Sequence, residues 1–224
     1  MKMYSRTARK KVMALILCAA MMIGMLPPCT KVSKAAETVS NPRTENGVST
    51  WDCIYFGNYY QSDSSTKEPI KWRVLSVDGN EAFVMADMAL DCKMYNEISG
   101  YADWETCTLR QWLNGTFLNV AFDVEEQSAI KTTLLENKDN NSVSGNTSDK
   151  IFLLSESEVR NVKYGFNNVY NAFSETRQSK ASAYAVENNC NIKGSKKYIG
   201  NCFWWLRSSS CAKSVGYGGW GDYA

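Results

Sequence analysis

Residues 70–88, "IKWRVLSVDGNEAFVMADM", decide the fold class. Two runs rich in β-branched and aromatic residues flank Asp78-Gly79-Asn80. That tripeptide is a turn signal, because its glycine adopts positive φ without a Cβ clash. The pattern predicts an antiparallel hairpin. Working outward, "CIYFGNYYQ" (residues 53–61) reads as a strand closed by a turn. On the other side the period changes. In "WETCTLRQWLNG" (104–115), Leu109, Trp112 and Leu113 fall at i, i+3 and i+4, an apolar helical stripe. Thr106 or Thr108 is available as its N-cap and Gly115 as its terminator.

Further along, Asp123 and Glu126 form a capping-box start for "VEEQSAIKTTLL" (124–135). The polar run "ENKDNNSVSGNTSDK" (136–150) reads as a surface loop. "IFLLS" (151–155) reads as a short buried strand, and Ser155 with Glu158 caps a brief helix. "ASAYAVENN" (181–189) fits helix or strand, "FWWLRS" (203–208) is a strand by its aromatics, and "VGYGGWGDYA" (215–224) reads as irregular. Strands and helices mix without a βαβ rhythm and without an internal repeat, so the expected class is α+β.

The first thirty-five residues carry an address. Arg6, Arg9, Lys10 and Lys11 precede an uncharged run from Val12 to Leu26. That run is shorter than the roughly 20 residues of a bilayer span and suits a secretory leader, with Ser33 and Ala35 at the positions a signal peptidase reads. The expected organisation is a signal peptide over 1–35, a flexible polar lead-in over 36–50, and one domain over 51–224. A mature chain of this kind has no integral membrane segment and works outside the cell, either free or associated with the cell surface.

Removing the leader changes the charge. It holds seven of the 25 Lys and Arg and none of the 23 acidic residues, which leaves 18 basic and 23 acidic side chains, a net of −5. An acidic chain has no electrostatic reason to bind nucleic acid. Cysteine usage fits export: Cys18 and Cys29 leave with the leader, and Cys53, Cys92, Cys107, Cys190, Cys202 and Cys211 remain without a CxxC pair. "LDC" and "WETC" bracket a polar segment, and a Cys92–Cys107 disulfide there would close a loop of about 15 residues, contributing roughly 3 kcal/mol.

The absence of histidine removes Ser-His-Asp and Cys-His catalysis, HExxH proteases and imidazole metal sites together. Neither GxGxxG nor GxxxxGK[ST] is present, and the oxygen-rich loop from Asp139 to Asp149 does not match an EF-hand. No cofactor or metal is expected. In "NCFWWLRSSSC" (201–211), strand geometry sends Trp204 and Trp205 to opposite faces. Either an exposed tryptophan beside Arg207 stacks on a ligand, or both rings are buried and Arg207 pairs with a buried carboxylate. The second reading is preferred. Trp72, Trp104, Trp112, Trp204, Trp205 and Arg207 are accordingly assigned to the core, and ligand contact to Tyr95, Tyr101 and Trp220, which lie among Gly, Asn and Asp.

Six separated motifs, "WDCIYFGNYYQ", "KEPIKWRVL", "LDCKMYN", "WETCTLRQWLNGTFLNVAF", "DKIFLLSESEV" and "WWLRS", occur in this order between Trp51 and about Gly219. Together they resemble a secreted bacterial domain-of-unknown-function family, number 6273. The resemblance implies a C-type-lectin-like fold, related to the sulfatase-modifying factors, with short helices and twisted antiparallel strands. It implies a non-catalytic binding or interaction domain whose partner is a glycan or a surface protein. One alternative is a copper-dependent cysteine oxidase, for which Cys202 and Cys211 are the close pair; another is a purely structural domain of a surface protein. The sequence departs from the family pattern in three ways. Ser209-Ser210 stands where Pro-Gly is usual, the chain stops at Ala224 before a further strand, and Glu68-Pro69-Ile70 lacks the amide of a calcium–sugar tripeptide. A missing closing strand would leave one sheet edge unpaired.

Overall fold

The computed structural model describes residues 39–98, 102–137, 144–194, 196–208 and 213–223, together with the backbone of 2–3. Residues 4–38 of the predicted leader and lead-in, Tyr101 and Cys211 lie outside the described residues.

The hairpin forms as expected. Strands β5 (Lys67–Asp78) and β6 (Glu81–Ala86) pair antiparallel with Asp78 opposite Glu81, and Gly79 turns the chain at φ 59°. Strand β4 (Cys53–Tyr60) lies on the far side of β5, and the backbone of β1 (Lys2–Met3) follows the outer edge of β6. In β6 every residue from Ala82 to Ala86 is buried, because both faces of this strand are covered.

The stretch read as a flexible lead-in holds a second hairpin. Strands β2 (Arg43–Glu45) and β3 (Val48–Thr50) flank Asn46-Gly47, whose φ values of 50° and 78° are those of a type I′ turn. Arg43 and Ser40 hold Asp52, and Asn41 accepts the Val77 amide at 2.8 Å, so the hairpin is docked on the sheet.

The helical layer departs from expectation at its ends. Helix α1 (Thr108–Trp112) runs through a π-helical turn (Leu113–Phe117) into α2 (Leu118–Ala121), so Gly115 sits inside the helix and does not end it. Neither threonine caps it. Thr106 donates to Asp103, Thr108 accepts from the Glu97 amide, and Cys107 occupies the cap position without a side-chain bond to the helix amides. The capping box at α3 (Val124–Ala129) is present with both reciprocal bonds, and Glu126 also accepts the Gly57 amide at 3.0 Å. That one carboxylate ties the helix to an irregularity in β4.

The polar run 136–150 is strand at its end: β8 (Thr147–Asp149) pairs with β7 (Thr133–Leu135). Ile151–Leu154 is buried as expected but joins no sheet ladder. Its backbone is met by Asn114, which takes the Lys150 and Ile151 amides and the Ile151 carbonyl, and by the Arg207 amide on Leu154. The ambiguous run 181–189 resolves as helix α4 (Ala183–Glu187), capped by Ser182.

Strand β9 (Trp204–Trp205) pairs with β10 (Lys213–Val215), which pairs with β11 (Gly221–Tyr223). The glycine-rich tail is therefore a hairpin and not irregular. The bend between its strands needs glycine at Gly219, where φ is 79° and a Cβ would stand 1.9 Å from the Ser174 carbonyl oxygen. One continuous core joins the β4–β6 sheet, the helices, the 151–154 segment and β9–β10. The architecture is α+β.

Candidate functional site

Three segments converge on one surface cleft. The first follows β6. Here the Tyr59 hydroxyl donates to Asp91 at 2.7 Å, and the Lys93 ammonium sits 3.9 Å from the same carboxylate. Burial and this bond push the Tyr59 phenol well above its usual range. The second is the loop after α4, where Asn189 takes a left-handed φ of 68°. Asn188 donates to Asp91 at 3.1 Å, and Ser182 bonds the carbonyls of Ala89 and Leu90 through its amide and hydroxyl. The third is β9.

The cleft between them has a volume of about 680 Å³. Cys92, Lys93 and Met94 line one wall, Asn188 to Asn191 the other, and Phe203, Trp204, Trp205 and Ser214 the base. Trp205 is half-buried. Its indole N–H donates to the Lys93 carbonyl at 3.0 Å, and Tyr95 meets its ring edge-on at 5.8 Å. Met94 and Phe203 are exposed. Lys93 also lies over the Trp112 ring at 5.1 Å, which holds its side chain along the wall.

The expected site residues fare differently. Tyr95, expected at ligand contact, is 6% exposed and packs edge-on behind Trp205. It follows Met94 on a segment whose next side chain turns inward. Trp220 is half-buried and packs edge-on against the exposed Phe173 at 5.0 Å. It belongs to an aromatic patch beside the cleft, in which Phe173 stacks on Tyr198 at 6.1 Å and Lys197 lies over both rings. Phe203 packs on Tyr217 at 4.3 Å and borders that patch.

Of the six residues assigned to the core, Trp72, Trp104, Trp204 and Arg207 are buried, whereas Trp112 and Trp205 are only half-buried. Arg207 meets a buried carboxylate, as preferred from the sequence: both of its terminal nitrogens bond Glu158. Asp149, weighed as a cation ligand, is instead held by Trp104, Arg110 and Thr147. Among the described residues no cluster of three or more acidic or cysteine side chains has the geometry of a metal site.

The thiols are also rearranged. Cys92 and Cys107 do not bond: Cys107 is buried and donates to the Trp104 carbonyl. Burial pushes both up to about 11, so both rest as thiols at neutral pH. Of the pair considered for an oxidase, Cys202 is fully buried and its thiol donates to the Ser179 carbonyl.

Sequence reading missed the asparagine wall and Arg177. Three asparagines flank Cys190 at 188, 189 and 191, a polar cluster after a helix and a fair signal for a loop over a site. Arg177 gave no signal at all.

Residues 79–220 match the family described as domain of unknown function DUF6273. The chain belongs to this family. The DUF6273 match begins at the β5–β6 turn, later than the Trp51 start read from the motifs, yet it contains both walls and the base of the cleft. No curated protein and no solved structure matches the chain. Among the described residues no helix is long and apolar enough to cross a membrane.

Proposed function

We propose that this DUF6273 chain is a secreted or cell-surface, non-catalytic binding module, and that its ligand site is the cleft over Trp205. The cleft is the observation that carries the reading. It is concave and mostly apolar, with a few polar groups at its rim, which is the usual composition of a small-ligand site. Aromatic surface from Phe203 and Trp205 beside the amides of Asn188, Asn189 and Asn191 suits a glycan, whose ring faces are apolar and whose hydroxyls both donate and accept. Lys93 adds one cation at the wall. Secretion rests on the leader pattern at the N-terminus and on the cysteine usage. A C-type-lectin-like architecture is supported by short helices packed against twisted antiparallel strands and by the "WWLRS" strand closing the core.

The test is a glycan and cell-wall-fragment array probed with wild type, Trp205→Ala, Asn191→Ala and Trp220→Ala. Binding lost in the first two variants and kept in the third is the expected result. Asn191 is exposed, so its loss cannot act through the core. Retention of binding by Asn191→Ala and Trp205→Ala, or no binding by wild type to any member, overturns the reading.

A further inference from the structure

Cys92 and Cys190 stand on opposite walls of the cleft, and both contribute to its lining. Their segments are already joined one residue away on one side and two on the other, by the Asn188–Asp91 hydrogen bond of 3.1 Å. Both are half-exposed and neither is bonded to another cysteine. Both also line a smaller recess of about 70 Å³ that shares Lys93, Trp204 and Trp205 with the cleft, and the Ile192–Cys202 bridge brings Cys202 near Cys190 on its inner side. Cys202 is fully buried, so an incoming reagent in the cleft meets only the first two.

We propose that the wall of this cleft is a thiol–disulfide exchange site, in which Cys92 and Cys190 are joined into a disulfide by an external disulfide and thereby lock the two walls together. The thiolate of Cys92 attacks one sulfur of the external disulfide; that disulfide's S–S bond breaks and the first thiolate leaves. The thiolate of Cys190 then attacks the Cys92 sulfur, the Cys92–Cys190 bond forms, and the second thiolate leaves. Two protein thiols are oxidised, one external disulfide is reduced to two thiols, and the two protons pass to the leaving groups. Burial outweighs Lys93, next in the chain on the same wall, and keeps Cys92 a thiol at rest, so the attack runs through its minor thiolate fraction and quickens as pH rises toward about 11. The bond ties the segment after β6 to the loop after α4, so the oxidised cleft is pre-organised whatever it binds.

The choice of Cys92 over Cys202 as the partner of Cys190 follows from access. Peptide mapping of the full chain, reduced and then treated with oxidised glutathione, tests it directly. The expected product is a Cys92–Cys190 linked peptide with release of two equivalents of glutathione. Closing a loop on the order of 100 residues should also raise the melting temperature by roughly 10 °C, since unfolded-state entropy falls with the cross-link. Cys92→Ser and Cys190→Ser should lose that rise, and Cys202→Ser should keep it. A Cys190–Cys202 linked peptide, or alkylation of both Cys92 and Cys190 after the treatment, overturns the proposal. The mapping uses wild type alone, so it decides the matter even if a variant fails to fold.

Discussion

Arg207 holds Glu158 with both ends of its guanidinium, Nη1 to Oε2 at 2.5 Å and Nη2 to Oε1 at 3.0 Å, and each side chain is buried. The same carboxylate accepts the Ser155 amide at 2.8 Å, while the Ser155 hydroxyl accepts the Glu158 amide. Arg207 further reaches the Leu153 carbonyl at 3.0 Å. One ion pair thus fastens β9 to the buried 151–154 segment and to the helical turn that follows it. Replacing either partner leaves a charge in a site from which water is excluded. Arg207→Ala and Glu158→Ala should each cost about 3–5 kcal/mol, and a double-mutant cycle in urea should return strong coupling. Additive losses would mean that the two act separately.

Arg177 has a different solution to the same problem. It is fully buried, and its partners are carbonyls: Gly219 at 2.6 Å, Asn167 at 2.6 Å, Val169 at 2.7 Å and Ala172 at 3.0 Å. Burial lowers its affinity for the proton, yet a guanidinium stays charged at any ordinary pH. The fork knits the loop 167–172 to the β10–β11 hairpin. Lysine cannot reach four diverging acceptors, so Arg177→Lys should destabilise by about 2–4 kcal/mol. Hydrogen exchange should quicken first in 167–172 and around Gly219. A uniform change across the chain would argue against a local brace.

These two arginines mark how far the sequence can be read. Arg207 was legible because it follows two tryptophans in a strand, where an inward cation demands a carboxylate. Arg177 sits in a turn-rich polar stretch, and its acceptors are backbone groups that no side-chain pattern announces. The β5–β6 hairpin and the Asp123–Glu126 capping box were legible from local chemistry alone. Asn46-Gly47 is a local hairpin signal too, and it was missed within the polar composition around it. Gly115 misled because an isolated glycine can lie inside a helix when tertiary packing holds it there. The cleft was invisible, since its walls come from segments about a hundred residues apart in sequence.

Acid should reveal the ion pairs of the main sheet. Burial opposes ionisation of Asp87, but Arg73 at 2.6 Å and Lys71 at 3.3 Å prevail and hold its carboxyl below the ordinary value. A carboxyl lowered in the folded state contributes stability that is complete above its unfolded pKa of about 3.9 and is lost as pH falls through the lower folded value. The urea midpoint should therefore drop as pH falls below about 4, and the drop should be shallower in Asp87→Asn. Equal slopes for the two proteins would assign the acid transition to other groups, such as Asp52, which Ser40 and Arg43 lower in the same way.

The two faces of the "WW" strand should separate stability from recognition. Trp204 is buried, with its N–H on the Arg177 carbonyl at 3.0 Å, whereas Trp205 is half-buried at the cleft. Trp204→Ala should cost about 3–5 kcal/mol, the ordinary loss for a buried aromatic, and Trp205→Ala clearly less. Thermal melts of the two variants check this. Equal losses would place Trp205 in the core and weaken its role as a ligand surface.

Gly57 and Gly79 offer a controlled comparison, because both take positive φ, 68° and 59°, in otherwise different surroundings. At Gly79 the space for a Cβ is open, so Gly79→Ala meets only the backbone penalty of about 1–2 kcal/mol. At Gly57 a Cβ would stand 2.4 Å from the Phe122 ring and 2.8 Å from the Ala121 carbonyl. Phe122 cannot retreat freely, since it packs on Phe56 at 5.5 Å and on Phe117 at 6.0 Å. The Gly57 amide also donates to Glu126, whose other oxygen completes the α3 capping box. Gly57→Ala should therefore carry the backbone penalty plus about 1–3 kcal/mol of overpacking. It should loosen α3 as well, visible as faster hydrogen exchange over Val124–Ala129. Similar melting points for the two alanine variants would mean that the ring yields, and that the junction of β4 with the helical layer is softer than its packing indicates.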